Sequence, residues 1–138
     1  MDPNIVPAGA APNYLAAYGQ LVQELWVPIL LLALWCYFCG CFNGAVIVSK
    51  YILRDDVRNH GSGNAGLTNF FRTFGGPLTF VVILCDVLKA VAAVLTTVFV
   101  ARHFGVHASM LPMAEYWAGL WCLLGHMFPC MFHFKGGK

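Results

Sequence analysis

Three long apolar segments, separated by polar ones, set the pattern of this chain. Residues 25–49 include no charged side chain, and further apolar segments run over about residues 77–100 and 110–134. The first segment alone corresponds to ~37 Å of helix at ~1.5 Å per residue, enough to cross ~30 Å of hydrocarbon with some tilt. The pattern therefore predicts an all-α membrane protein with three transmembrane helices.

The segments between these spans predict the domain organisation. Residues 1–23 are rich in proline and glycine and lack the basic stretch of a secretory signal, so we expect a leader that is loose or forms a short surface helix. Residues 50–76 form a polar loop between the first two spans. Residues 24–138 then make up one membrane domain.

The basic residues predict how the spans are oriented. The loop and the C-terminal end, which lie on one side of a three-span chain, carry Lys50, Arg54, Arg58, Arg72, Lys135 and Lys138. The opposite side carries only Arg102. Because cytoplasmic segments are enriched in lysine and arginine, we expect the loop and the C-terminus to be cytoplasmic and the N-terminal leader to be extracellular.

Composition supports a membrane protein and excludes several other classes. Apolar residue types make up 59% of the chain, charged types 10%, and mean hydropathy is +0.70. Charged residues approach ~25% in ordinary soluble domains, and disordered chains are far more polar. A net charge of +2 is too small to indicate a nucleic-acid partner.

The polar loop contains a glycine-rich segment, 61–69, whose sequence is Gly-Ser-Gly-Asn-Ala-Gly-Leu-Thr-Asn. Its glycine spacing formally matches the dinucleotide fingerprint, but that fingerprint needs a strand before it and a βαβ unit around it. Glycines also let backbone N–H groups converge on an anion, and Arg58 and Arg72 flank the segment with groups that match phosphate oxygens. The loop predicts a phosphate site, and the alternative is a polar connector built from turn residues.

A second basic cluster, Lys135-Gly136-Gly137-Lys138, follows the third span directly. Two lysines around a glycine pair suit a phosphate group, but an anchor at the cytoplasmic face would use the same lysines. Two such clusters on one side of a short chain favour a shared anionic substrate.

Ionisable residues inside the predicted spans are further candidates. Asp86 and Lys89 are three residues apart, so they share a helix face, and Asp86 lies ~14 Å into its span. Such groups are costly in hydrocarbon, and they serve either a function or a structural ion pair. His126 is a candidate general base or hydrogen-bond donor, and the alternative is a histidine that bonds a backbone carbonyl.

The six cysteines do not indicate a metal or redox site. Cys36, Cys39 and Cys41 form a C-x-x-C-x-C cluster, but every cysteine lies in an apolar stretch. A thiolate is disfavoured in such surroundings, so we expect the cysteines to act as small hydrophobic residues and expect no metal ligands.

Three motifs in order resemble the bacterial acyl-phosphate:glycerol-3-phosphate acyltransferases, the PlsY family. The first motif runs from Arg58 through the glycine-rich segment to Arg72, and the second runs from Gly125 and His126 to Lys138. Between them, Asp86-x-x-Lys89 is similar to an intramembrane Asp-Leu-Lys-Gly segment, with Ala90 where glycine is usual. Cys41 and Asn43 stand where serine and proline are frequent. The resemblance covers about residues 25–138.

The resemblance implies an enzyme of the bacterial inner membrane that starts phospholipid synthesis. It would transfer a fatty acyl group from acyl phosphate to the 1-hydroxyl of glycerol 3-phosphate, giving lysophosphatidic acid without a cofactor. Its partners would be these two substrates, membrane lipid and the enzyme that makes acyl phosphate. The acyl tail would lie between helices in the bilayer.

The resemblance also implies roles for individual residues. Ser62, Arg72 and His126 would be catalytic, and Asp86 and Lys89 would support the site from within the membrane. The residues implied to bind substrate or phosphate are Gly61, Gly63, Asn64, Gly66, Thr68, Asn69, Lys135, Gly136, Gly137 and Lys138.

Family members continue past the second motif with further spans and a third motif, so the chain is expected to correspond to the front part of a longer enzyme. Two alternatives stay open. One is a membrane protein that binds or transports a phosphorylated metabolite through Asp86 and Lys89, and the other is an inactive fragment.

Overall fold

The computed structural model describes residues 14–138, with side chains described from residue 23 onward, and every regular element in this part of the chain is a helix. The main helices are α1 (Tyr14–Cys41), α2 (Gly44–Ile47), α3 (Leu67–Thr73), α4 (Leu78–His103) and α5 (Leu111–Met127). Short turns of π-helix (Val48–Ile52) and 3₁₀-helix (Val57–Asn59, Ala108–Met110, Cys130–Phe132) join them. The first thirteen residues of the predicted leader lie outside the described residues.

Within the described residues, two helices are long and apolar enough to cross a membrane, Gln23–Cys41 within α1 and Leu78–His103. The second matches the predicted span at 77–100 closely. Helix α5 has 17 residues, or ~26 Å, which is slightly less than the ~30 Å of a hydrocarbon core. The helical class is therefore confirmed, and two spans are supported by length and composition.

The sequence predicted one continuous helix up to Ser49, but the first apolar segment is broken before that residue. Helix α1 ends at Cys41, and Asn43 begins the short α2 in an extended conformation, its side chain accepting a hydrogen bond of 3.0 Å from the Val46 N–H. The Asn43 amide also donates to the Ala65 carbonyl at 3.0 Å. This buried asparagine stabilises the break because it satisfies a backbone N–H of α2 and a backbone carbonyl of the polar loop.

The third apolar segment also ends earlier than predicted, because α5 stops at Met127 rather than near Phe134. Pro129 has no N–H to continue the helix and disfavours helical backbone at the residue before it. His133 and Phe134 then adopt left-handed backbone, with φ of 56° and 58°, and turn the chain back toward α5. Residues 128–138 thus form a C-terminal hairpin instead of a last helical turn.

Glycine permits the close approach of α1 and α5. A Cβ on Gly40 would overlap the Cys122 carbonyl, and a Cβ on Gly125 would overlap the Tyr37 carbonyl. Each helix therefore presents a glycine to the backbone of the other, as is common where membrane helices pack closely. Cys36 and Cys122 are buried in the same region with Ala93 of α4, which places three helices in contact.

A separate apolar cluster lies beneath the polar loop. Phe70 of α3, Val46 of α2 and Val82 of α4 are fully buried there, and Phe132 of the C-terminal hairpin packs with them. This cluster holds the loop and the hairpin against the N-terminal half of α4. The two segments that carry the sequence motifs are therefore built on one core.

Candidate functional site

Asn69 organises the glycine-rich loop. Its side-chain amide donates to the carbonyls of Val57, His60 and Asn64 at 3.0–3.1 Å, and its oxygen accepts from the Ser62 N–H at 3.1 Å. Asn69 is 2% exposed, so these bonds use a side chain that has no access to a ligand. Asn69, which the sequence placed among the phosphate-binding residues, therefore shapes the loop in this structure.

The loop backbone offers fewer free N–H groups than a full anion nest would need. Gly61 and Gly63 adopt positive φ, 54° and 70°, as the glycine-rich sequence requires. The Ser62 N–H, however, bonds Asn69, and the Gly63 N–H donates to the His60 carbonyl at 2.9 Å. An anion at this loop would consequently depend more on side chains than on these two backbone groups.

Arg58 joins the loop to the C-terminal hairpin. Its guanidinium binds both carboxylate oxygens of Asp56, at 2.9 Å from Nε and 2.6 Å from Nη2. Its remaining terminal nitrogen, Nη1, donates to the carbonyls of Phe132 and Lys135 at 3.1 and 3.4 Å. These contacts use four of the five N–H groups of Arg58, so this residue fixes the geometry of the site more than it offers free donors to a phosphate.

The charge of this pair is well defined. The hydrogen bond from Arg58 lowers the pKa of the Asp56 carboxyl, although desolvation opposes this effect. The same bond raises the pKa of Arg58 above its already high ordinary value. Both groups therefore stay charged at neutral pH, and their charges neutralise each other locally.

The Lys-Gly-Gly-Lys segment runs back along the end of α5. The N–H of Gly136 donates to Met127 O at 3.2 Å, and the N–H of Gly137 donates to His126 O at 3.1 Å. A Cβ on Gly137 would overlap the His126 ring and lie 3.2 Å from the Ala65 carbonyl. Only glycine leaves room for the histidine at this point, where the loop, the hairpin and α5 meet.

The loop and the C-terminal segment are in direct contact, which the sequence alone did not establish. The Asn64 side-chain amide donates to the Lys138 carbonyl at 3.2 Å. The Asn64 Oδ1 is buried and accepts no hydrogen bond from the described residues. Since an unsatisfied buried acceptor costs ~1–3 kcal/mol, a further donor at this oxygen would stabilise the loop.

The other polar residues that the sequence predicted for the site lie in the loop, in α3 and in the C-terminal segment. They are exposed and have no hydrogen-bond or ion-pair partner among the side chains that the structure describes. They are Ser62, Thr68, Arg72, Lys135 and Lys138. The predicted site thus contains two kinds of residue. Some side chains are hydrogen-bonded within the protein and hold the backbone, and others carry cationic or hydroxyl groups that have no partner among the described residues.

Lys89 connects three helical segments from inside the bundle. Its ammonium contacts Asp86 Oδ1 at 2.5 Å, the Phe42 carbonyl at 2.9 Å and His126 Nδ1 at 2.8 Å. The Lys89 side chain is 9% exposed. Because these partners occupy all three of its N–H groups, the geometry disfavours the alternative in which Lys89 takes up a transported anion.

A cavity of about 310 Å³ lies between α4 and α5 beside this cluster. Its wall is mostly apolar, with the polar cluster at one end. The lining residues that the sequence had singled out are Asp86, Lys89, Ala90, Cys122 and His126. The shape and polarity suit an aliphatic chain with a polar end.

Two contacts in the loop were missed from the sequence. His60 Nε2 lies 2.8–2.9 Å from both carboxylate oxygens of Asp55, and the Ser49 hydroxyl accepts from the Val57 N–H at 3.1 Å. For the first contact, the available signal was the acidic pair Asp55-Asp56 followed closely by Arg58 and His60. No group of three or more potential metal ligands occurs within the described part of the chain.

The family model described as glycerol-3-phosphate acyltransferase matches residues 30–138. The curated glycerol-3-phosphate acyltransferase of Bacillus subtilis (strain 168) is 41% identical over 110 residues, covering 80% of this chain and 52% of the relative. That of Staphylococcus carnosus (strain TM300) is 37% identical over 115 residues, covering 80% and 54%. The chain therefore spans about half the length of the curated relatives it matches.

A solved structure is also similar. It is the crystal structure of PlsY (YgiH), an integral membrane glycerol 3-phosphate acyltransferase, in its glycerol 3-phosphate form. It is 32% identical, with a TM-score of 0.64, and the match covers 80% of this chain and 51% of that one. The region that the family model matches, residues 30–138, contains both polar motifs and Lys89, and the chain belongs to the glycerol-3-phosphate acyltransferase family.

Proposed function

We propose that this chain forms the first part of a site that transfers a fatty acyl group from acyl phosphate to glycerol 3-phosphate, giving lysophosphatidic acid. The observation that carries the proposal is the junction of the loop with the C-terminal segment. There, buried residues hold the backbone while Ser62, Arg72, Lys135 and Lys138 keep free polar or cationic groups. Family membership supports glycerol 3-phosphate as the acceptor.

The reaction asks mainly for positioning and charge stabilisation, because acyl phosphate is a mixed anhydride with a good leaving group. The 1-hydroxyl oxygen attacks the acyl carbonyl, the bond from the acyl carbon to the phosphate oxygen breaks, and phosphate leaves. The hydroxyl proton passes to a base, for which a substrate phosphate is available. Arg72, Lys135 and Lys138 would stabilise the phosphate charges that develop as the bond breaks.

The hydroxyl groups and the amide of Asn64 would orient the acceptor. Ser62 and Thr68 are exposed beside the junction, and Asn64 Oδ1 lacks a donor in the described structure. A hydroxyl of glycerol 3-phosphate supplies such a donor. The acyl chain would occupy the cavity between α4 and α5.

The proposed setting is a multi-pass protein of the bacterial inner membrane. Helices α1, α4 and α5 would span the bilayer with the N-terminal leader outside and both polar motifs on the cytoplasmic side, as the distribution of basic residues favours. An acyl-phosphate-producing enzyme would supply the donor at that face. Reporter fusions at Gly105 and after Lys138 test this topology, and a cytoplasmic Gly105 would contradict it.

An acylation assay tests the activity. Membranes containing this chain, alone or joined to the part of the Bacillus subtilis relative beyond the match, are given acyl phosphate and labelled glycerol 3-phosphate. We expect lysophosphatidic acid from the joined protein. Arg72→Ala should lower the rate about tenfold to a hundredfold, because a charge-assisted hydrogen bond contributes ~1.5–3 kcal/mol.

Matched controls separate the site from general effects of the same substitutions. Ser62→Ala and Arg72→Ala are compared with Ser109→Ala and Arg102→Ala, which remove the same groups near the opposite end of α4, where both are exposed. The control variants should retain activity. If all four variants were equally active, the site assignment would be wrong. Uptake of labelled glycerol 3-phosphate without acylation would instead favour a transporter.

A further inference from the structure

The contact between Lys89 and His126 determines where the histidine carries its proton. Lys89 Nζ lies 2.8 Å from His126 Nδ1. An ammonium has three donors and no acceptor, so Nδ1 must accept this bond. A neutral ring that accepts at Nδ1 carries its hydrogen at Nε2.

The Nε2 edge of His126 faces the junction of the two motifs. The Cβ position of Gly137 falls against Nε2 and Cε1 of the ring, with the Ala65 carbonyl 3.2 Å from the same position. Lys89 thus contacts one edge of the imidazole inside the bundle, while the opposite edge meets the backbone of the loop and the C-terminal segment. A single side chain links the intramembrane cluster to the proposed phosphate site.

The other partners of Lys89 show that its position is constrained from several elements. Asp86 lies on the same helix, and the Phe42 carbonyl lies just beyond the end of α1. If the only role of these contacts were to neutralise the charge of Lys89, the ion pair with Asp86 would be sufficient. The additional bonds to the end of α1 and to α5 fix the ammonium between helices, and through it the orientation of the His126 ring.

We propose that Lys89 is a positioning residue that holds neutral His126 as the Nε2–H tautomer, with this donor directed at the junction of Ala65 and Gly137. His126 then acts as a hydrogen-bond donor rather than as a general base at that edge. The further step, donation of this N–H to the phosphate of a substrate, rests on the proposed function.

Nitrogen NMR of the histidine rings tests the tautomer without any substrate. The full chain is labelled with ¹⁵N-histidine and studied in detergent micelles, at a pH above the ordinary histidine pKa of ~6.5. The variant His126→Gln identifies the resonances of this ring. We expect Nε2 to appear as the protonated nitrogen and Nδ1 as the unprotonated one. A protonated Nδ1 in the unaltered chain would overturn the proposal, whatever the variants do.

Two variants then test the role of Lys89. Lys89→Met removes the donors and should shift the Nδ1 resonance and introduce a second tautomer. Leu88→Met, on the neighbouring exposed position of α4, is the matched control and should leave the His126 resonances unchanged. An unchanged Nδ1 resonance in folded Lys89→Met would show that the lysine does not set the ring.

Titration with glycerol 3-phosphate and with inorganic phosphate separates this inference from the proposed function. A shift of the Nε2 resonance by either probe, lost in Lys89→Met and kept in Leu88→Met, supports donation to phosphate. If the tautomer is as described but neither probe moves Nε2, the positioning by Lys89 stands and the phosphate role of His126 is refuted.

Discussion

Replacing Arg58 with alanine should release the C-terminal hairpin from the loop. The change removes two bonds to Asp56 and the bonds to the Phe132 and Lys135 carbonyls. It leaves a carboxylate whose side chain is 18% exposed with only a backbone N–H as donor. Breaking a buried ion pair costs ~3–5 kcal/mol, and the partial exposure here places the expected loss at the lower limit, about 3 kcal/mol.

Thermal unfolding measured with a thiol-reactive dye gives the readout. Cys36, Cys41 and Cys122 are buried, whereas Cys130 is exposed, so unfolding releases reactive thiols above a constant baseline. A loss of about 3 kcal/mol corresponds to a decrease in Tm of ~10 °C for a chain of this size. The Tm of Arg58→Lys should fall between those of the unaltered chain and Arg58→Ala. A lysine ammonium keeps the charge but cannot form the two parallel hydrogen bonds of a guanidinium.

Asp56 sets the pH dependence of the difference in stability between the unaltered chain and Arg58→Ala. Its pKa is lowered by Arg58 in the folded chain, so the pair contributes stability above the unfolded value of ~3.9 and loses it as pH falls through the lower folded value. The gap between the unaltered chain and Arg58→Ala should therefore persist at neutral pH and close only in acid. Arg102→Ala serves as the control. If Arg58→Ala unfolded within 1 °C of Arg102→Ala, the pair would be an ordinary screened surface bridge and the reasoning would be refuted.

Three further predictions concern the packing and the loop. Gly125→Ala should destabilise the chain by ~1–3 kcal/mol in the same assay because its Cβ overlaps α1, whereas Gly119→Ala, with nothing within 4 Å, should not, and equal effects would contradict the close packing. Cys41 and Cys130, whose sulfurs lie 4.0 Å apart, should form an intramolecular disulfide when diamide is added. A serine at either position should abolish that bond on a non-reducing peptide map, and its persistence would place the hairpin elsewhere. Asn69→Ala should make the glycine-rich loop sensitive to protease, because it removes the bonds that hold three carbonyls, and an unchanged cleavage rate would argue against this role.

The helices could be predicted from the sequence where hydrophobicity alone decides them. Helix α4 follows an apolar stretch that begins after Pro77, and its observed bounds agree with the prediction. The ends of α1 and α5 could not be predicted in the same way. The break at Asn43 depends on the Ala65 carbonyl, which is distant in sequence, and the hairpin after Met127 depends on its contacts with Arg58 and α5.

The sequence predicts which residues belong to the site, but it does not predict which of them shape the backbone and which keep free polar groups. Asn64 and Asn69 are the same residue type in the same motif, yet one is enclosed by the loop and the other faces the C-terminal segment. Periodicity indicates that Asp86 and Lys89 share a helix face. It does not indicate that His126 of another helix completes the cluster, because that contact depends on how α4 and α5 pack.

The depth at which α1 and α5 end has a consequence for how two very different substrates meet. Lys89 lies eleven residues, or ~17 Å, along α4 from Leu78, and Phe42 and His126 lie beside it. In the proposed topology the irregular segments around the motifs therefore sit below the headgroup layer, which membranes tolerate where such backbone is enclosed by protein. On the proposed function, glycerol 3-phosphate would reach this depth from the cytoplasmic side while the acyl donor approaches from within the bilayer, so the acyl chain would not have to leave the hydrocarbon.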